Sequence, residues 1–105
     1  MTDGVTITLE LTLKPEAIDA FCAGLPEAIN ATAQRKGFRD IRIVRHAREP
    51  RVIFLETWDS EADYDAYIAW RQSTGMMDAM AQIIAAPPRK DVWPALVAAT
   101  STERA

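Results

Sequence analysis

The sequence predicts an α+β domain whose elements run β-α-β-β-α-β. Three observations carry this reading. The chain opens on strict period-2 alternation and continues into an apolar stripe at helical spacing. Two β-rich runs then flank a short turn ahead of a second, interrupted helical stretch.

Val5, Ile7, Leu9, Leu11 and Leu13 alternate with Thr6, Thr8, Glu10 and Thr12, so residues 4–13 read as a strand with one apolar face. Pro15 suits the first turn of a helix, and Glu16 and Asp19 place negative charge at its start. Ile18, Phe21, Cys22, Leu25, Ile29 and Ala33 form a single stripe, and Gly37 after Arg35 and Lys36 marks the end. Pro26 inside the stripe should kink this helix and leave a carbonyl near Cys22 without its donor. Phe38 to Arg48 and Arg51 to Trp58 read as strands joined at Glu49-Pro50, an antiparallel hairpin. Ser60, with Asp63 three residues on, begins a helix in a capping-box-like arrangement. That helix reaches about Ser73. Gly75 breaks it, and Met76 to Ile84 form a short further helix stopped by Pro87-Pro88. Lys90 to Trp93 is the last strand candidate. The order is that of a ferredoxin-like fold, a four-stranded antiparallel sheet with helices on one face. Residues 1–97 form one domain on this reading, and residues 98–105 a frayed tail.

The third strand carries apolar side chains on both parities: Ile53 and Leu55 on one, Val52, Phe54 and Trp58 on the other. A strand apolar on both faces is usually buried on both. One helical layer covers only one face, so a second copy of the chain is expected to cover the other.

Composition narrows the chemistry. Hydrophobic residues make up 49% and charged residues 26%, an ordinary globular balance. One Cys and one His exclude an internal disulfide and a zinc site of the usual Cys/His kind. The net charge of −3 gives no global basic field for nucleic acid. The N-terminus lacks the pattern of a signal peptide and no window reaches 18 apolar residues, so a cytoplasmic protein with no membrane span is expected. Seven of the twelve basic residues lie between Arg35 and Arg51, and five carboxylates between Glu56 and Asp65. Salt bridges within the chain or across a dimer are the expected fate of both groups, ahead of capture of an anionic ligand.

This topology, combined with Val-Ile-Phe-Leu-Glu-Thr-Trp-Asp-Ser-Glu-Ala at 52–62, resembles the antibiotic biosynthesis monooxygenase domain family of the dimeric α+β barrel superfamily. In that family the third strand ends in an apolar-Glu-x-Trp segment followed by a Ser/Asp-capped helix. Glu56, Trp58 and Ser60 occupy those positions here. The resemblance implies a homodimer whose sheets form a barrel, with a pocket in each subunit between sheet and helices. It also implies a cofactor-free oxygenase of phenolic or quinol-type aromatic metabolites, whose deprotonated ring hands an electron to dioxygen. The sequence departs from the family in one respect. Many members carry a His near the position of Tyr67, which the haem-degrading branch uses as iron ligand together with an Asn on the first strand. Here the stretch has Tyr64, Tyr67 and Trp70, and the only Asn is Asn30, so haem is not expected by that route.

On this reading the catalytic candidates are Tyr64, Tyr67 and Trp58, with no metal and no cofactor. Trp58, Phe54, Trp70, Arg71 and Met80 are the substrate-binding candidates, Arg71 as the fixed positive charge beside a phenolate. Two readings compete for Trp58, a core plug and a pocket wall that stacks on the substrate. Met80 with Met76 and Met77 also suits adaptable packing. Glu56 shares a strand face with Trp58 and, if buried, should pair with Arg42 or Arg45 on the neighbouring strand. His46 suits a solvated position near the hairpin turn, and Cys22 an inert core thiol. A non-catalytic small-molecule-binding or oligomerisation module of the same fold is the alternative.

Overall fold

A computed structural model describes residues 4–101. Strand β1 spans Val5–Thr12, helix α1 Ile18–Ala33, β2 Phe38–Arg45, β3 Arg51–Trp58, α2 Glu61–Ser73, α3 Met76–Ala81 and β4 Arg89–Trp93. The four strands form one antiparallel sheet in the order β2-β3-β1-β4. The ferredoxin-like α+β class expected from the sequence is the one observed.

Register decides which side chains meet. Val5, Ile7, Leu9 and Leu11 lie opposite Trp58, Glu56, Phe54 and Val52, so these eight share the face towards the helices. Two apolar clusters result. One joins Val5, Ile7, Trp58 and Tyr64; the other joins Leu11, Leu13, Ile18 and Val52. The opposite face carries Thr8, Ile53, Leu55, Val44 and Trp93, and the Trp93 indole donates to the Thr8 hydroxyl at 2.9 Å. Val44 is 44% and Trp93 53% exposed, so among the described residues nothing covers this part of the second apolar surface.

The helix boundaries follow from local chemistry. The Ser60 side chain accepts from the Asp63 amide at 3.1 Å, the expected N-cap. Gly75 takes φ +82°, a left-handed conformation that only glycine adopts cheaply, and so divides α2 from α3. Gly37 has φ +85°, and a Cβ there would lie 2.5 Å from the Asp63 Cβ, which ties the end of α1 closely to the start of α2. Three boundaries differ from expectation, the first being α3, which ends at Ala81 while Ile84 bridges Leu13. Pro15 lies in a turn rather than in the helix, where Ala17 N–H already bonds Lys14 C=O, and α1 begins at Ile18. Strand β2 ends at Arg45 because the His46 ring turns the chain: its Nδ1 accepts from the amides of Arg48 and Glu49 at 3.1 and 2.9 Å.

The basic run is largely consumed by carboxylates. Arg39 pairs with Asp59 at 2.7 Å, Arg45 with Asp19 at 3.0 Å, Arg51 with Glu10 at 2.6 Å, and Lys36 with Asp63 at 3.7 Å. Residues 94–101 form no helix or strand and are exposed; the remainder of the expected tail, 102–105, lies outside the described residues. Among the described residues no helix is long and apolar enough to cross a membrane.

Candidate active site

Helix α1 is amphipathic, yet only Ile18 and Thr32, near its two ends, are fully buried. The middle of its apolar stripe, Phe21, Leu25 and Ile29, is half-buried because it roofs a cavity instead of meeting the sheet. That cavity holds about 300 Å³. Leu9, Leu11 and Phe54 form its floor, and Met76, Met77 and Met80 close one side. The polar groups that reach it are few: Thr32, Glu56, Tyr64, Tyr67, Arg71 and Lys90. An apolar space with a small convergent polar set is the usual build of a small-molecule site.

Arg71 is the best-held of these. It projects from α2, is only 6% exposed, and has no carboxylate within ion-pair distance among the described residues. Its Nε donates to the Tyr67 hydroxyl at 3.0 Å, and Nη2 donates to Ala28 C=O at 3.0 Å and to Thr32 Oγ1 at 2.9 Å. The guanidinium carbon sits 4.7 Å from the Trp70 ring centroid and 5.3 Å from that of Tyr67. Neutral oxygens and ring faces therefore hold a buried charge in place, while Nη1 makes no hydrogen bond to any described residue. Such a charge is costly to keep without an anion.

Glu56 is the second charged group, on β3. It is 3% exposed, and its Oε1 accepts from the Trp58 indole N–H at 3.1 Å. Burial pushes its carboxyl above the usual carboxylate range, against the opposing pull of the Trp58 hydrogen bond and the positive charge of Arg71. The expected ion pair with Arg42 or Arg45 is absent. Arg42 lies opposite Leu55 on the other face of the sheet, and Arg45 pairs with Asp19; the residue opposite Glu56 on β2 is Ile41.

Tyr64 is 1% exposed and lines the cavity, and its hydroxyl makes no hydrogen bond to a described residue. Burial, then the charge of Glu56, holds its phenol protonated far above the ordinary tyrosine range. Lys90 lies 5.3 Å from its ring centroid. Tyr67 differs, because its hydroxyl is engaged on two sides, by Arg71 Nε and by Thr32 Oγ1 at 2.9 Å. With Thr32 Oγ1 donating to Ala28 C=O at 3.3 Å, the Tyr67 proton goes to Thr32, so the phenol's donor capacity is spent inside the network.

Of the expected site residues, Tyr64, Tyr67, Phe54, Arg71 and Met80 line one cavity. Trp58 and Trp70 do not. Trp58 is fully buried behind the tyrosines, 5.1 Å from the Tyr67 centroid and 5.9 Å from that of Tyr64, so it is the core plug. Trp70 lies between Arg71 and Arg35, whose guanidinium is 4.5 Å from its ring centroid. For Glu56 the sequence favours a structural ion pair over a catalytic base. The signal for its place in the cavity is its parity: an acid among Val52, Phe54 and Trp58, with no basic residue opposite. Lys90 and Thr32 carry no comparable signal, since only the fold brings β4 and the end of α1 to one space. His46 shapes the hairpin turn and does not line the cavity.

Comparison with solved structures gives the same architecture. An antibiotic biosynthesis monooxygenase crystal structure matches with a TM-score of 0.77 at 19% identity, covering 89% of this chain and 99% of its own. A candidate antibiotic biosynthesis monooxygenase from Deinococcus radiodurans matches with a TM-score of 0.78 at 17% identity, over 94% of this chain and 99% of its own. A conserved protein from Methanosarcina mazei Go1 matches at 0.73 and 17% identity, over 85% and 89%. At such identities these likenesses speak for the fold alone. No curated protein matches the chain. The sequence profile of one family, antibiotic biosynthesis monooxygenase, matches residues 4–82, which span β1 through α3 and contain every residue of the Arg71 network and the Glu56–Trp58 pair. The chain belongs to the antibiotic biosynthesis monooxygenase family.

Proposed function

We propose that the chain is a cofactor-independent monooxygenase of a phenolic or quinol-type aromatic molecule, bound in the cavity between sheet and helices. The observation that carries this reading is the buried Arg71 guanidinium, which has no carboxylate partner among the described residues and an unspent Nη1 at the wall of an apolar cavity. A phenolate oxygen is the anion it suits, and a planar ring the body that the apolar walls suit.

The chain's own groups supply the rest. Glu56, whose carboxyl burial makes more basic than usual, takes the phenolic proton. Arg71 holds the resulting phenolate. Tyr67 and Thr32 position Arg71, Trp58 positions Glu56, and Tyr64 offers the one free phenolic donor. Phe54 and Met80 exclude water from the ring. The electron-rich phenolate reduces dioxygen by one electron, and the two radicals join at the ring carbon para to the oxygen. The resulting peroxide loses its O–O bond as the proton on that carbon leaves. Phenol and dioxygen thus become quinone and water, one oxygen atom in each.

The homodimer belongs to the same proposal. Ile53, Leu55, Val44 and Trp93 form an apolar outer sheet face that a second copy would cover. The single Cys suits a reducing cytoplasm.

The test is dioxygen consumption with anthrones and naphthols, followed by mass spectrometry in ¹⁸O₂. One labelled atom in the quinone and one in water is the expected result. Saturable quenching of tryptophan fluorescence by the same compounds, with no turnover above the buffer rate, would replace the oxygenase by a binding module.

A further inference from the structure

The main cavity has a neighbour. A second space of about 360 Å³ lies between α1 and the β2 edge of the sheet, and Leu25, Ile29 and Ile41 line both spaces. Beyond those shared walls it is bounded by Cys22, Pro26, Ile43 and Val52. It opens to solvent past Val44 and Arg45, both exposed, where the Arg45–Asp19 ion pair ties β2 to the first turn of α1. The Arg71 network lies in the inner space, and the outer one is an apolar groove. Polarity runs in one direction: charged and phenolic groups reach the inner space, while apolar side chains make up nearly all of the outer one.

We infer that the outer groove is a subsite for an apolar extension of the ligand, an alkyl chain or a further fused ring, attached to the phenolic head held near Arg71. This rests on the functional reading above and adds to it the class of substrate, an elongated amphipathic phenol. The inner cavity alone is at the small end of ligand pockets, whereas the two adjoining spaces together are of ordinary size. The half-buried middle of α1 has the same explanation. Its stripe residues Leu25 and Ile29 pack against neither buried cluster because the ligand's extension is their partner. The two ends of the helix, seated through Ile18 and Thr32, keep the roof in place without it.

Cys22, the chain's only thiol, lines the groove and reports its occupancy. The probes are 4-ethylphenol and 4-hexylphenol, which share a head and differ by four methylenes. Binding is followed by tryptophan fluorescence, and the rate of Cys22 alkylation by iodoacetamide is measured at saturation with each. 4-Hexylphenol should bind about 20-fold more tightly, as expected for methylenes removed from water on about half their surface. It should also slow alkylation at least about tenfold, while 4-ethylphenol changes that rate less than about twofold, a contrast only groove filling produces. Ile43→Trp, which fills the groove, should bring the two affinities together. Equal affinities and unprotected Cys22 in the native protein would overturn the subsite whether or not that variant folds, and failure of both phenols to bind would overturn it too. The oxygenase reading is judged separately. Anthrone turnover with an unprotected Cys22 leaves that reading standing without the subsite, and protection without turnover leaves the subsite without the oxygenase.

Discussion

Replacing Arg71 by methionine separates a charge kept for a ligand from a charge kept for the fold. The variant loses three donor contacts, to Tyr67 Oη, Ala28 C=O and Thr32 Oγ1. At about 1 kcal/mol net for each hydrogen bond, that loss is about 3 kcal/mol. Two effects offset it. No acceptor is orphaned, because Tyr67 and Thr32 still bond each other and Thr32 still donates to Ala28. The desolvated guanidinium also disappears, and exchanging a buried charge for a packed apolar chain often recovers about 1–4 kcal/mol. The net change should lie between about 2 kcal/mol of destabilisation and about 1 kcal/mol of stabilisation, with about 4–8 °C in Tm for each kcal/mol in a domain of this size. Catalysis should respond differently. Loss of one preorganised donor at a developing oxyanion lowers kcat by about 10²–10³-fold. The assays are thermal unfolding by circular dichroism and dioxygen uptake with an anthrone. A variant destabilised by more than about 4 kcal/mol would make Arg71 a support of the fold, as breaking a required buried network does. A folded variant with unchanged kcat would refute the phenolate role.

Three further outcomes are expected. Burial raises the Glu56 carboxyl, so its stability contribution is fully present below the unfolded-state value of about 4.3 and is lost as pH rises through the higher folded-state value. Glu56→Gln, whose amide oxygen can still accept from Trp58, should therefore gain stability relative to the native chain between pH 4 and pH 8 in urea titrations; a pH-independent difference would contradict the buried carboxyl. Gly75→Ala meets no atom within 4 Å and should cost about 1–2 kcal/mol for its left-handed backbone, whereas Gly37→Ala adds the collision with Asp63 and should cost more than Gly75→Ala by at least about 1 kcal/mol in denaturant midpoints. Light scattering should give about twice 11.7 kDa at micromolar concentration, and Leu55→Arg on the outer face should return the mass to one chain; a native mass of one chain would remove the homodimer.

Much of the fold was written in local pattern. The Val5–Leu13 alternation, the α1 stripe, the Ser60 cap and the Gly75 break each act over a few residues, and each appears as expected. Side-chain parity also tells which face of β1 meets the helices, whereas β3 is apolar on both and its register with β1 decides the matter. What pairs across that face was not local. Glu56 reads as the partner of Arg42 or Arg45 on the neighbouring strand, but the register sets Arg42 on the far side and Ile41 opposite, leaving the acid to an indole and the cavity. Trp58 carried two readings that sequence weighed equally. Packing chose the core plug, because Tyr64 and Tyr67 from α2 stand between it and the open space. The Arg71 network depended on contacts some 40 residues apart, between α1 and α2, for which no spacing rule exists. Sequence periodicity fixes elements because it acts through neighbours on one helix or strand. Tertiary structure alone decides where α1 stands off the sheet, since that gap depends on how its two ends are seated, and the candidate site is that gap.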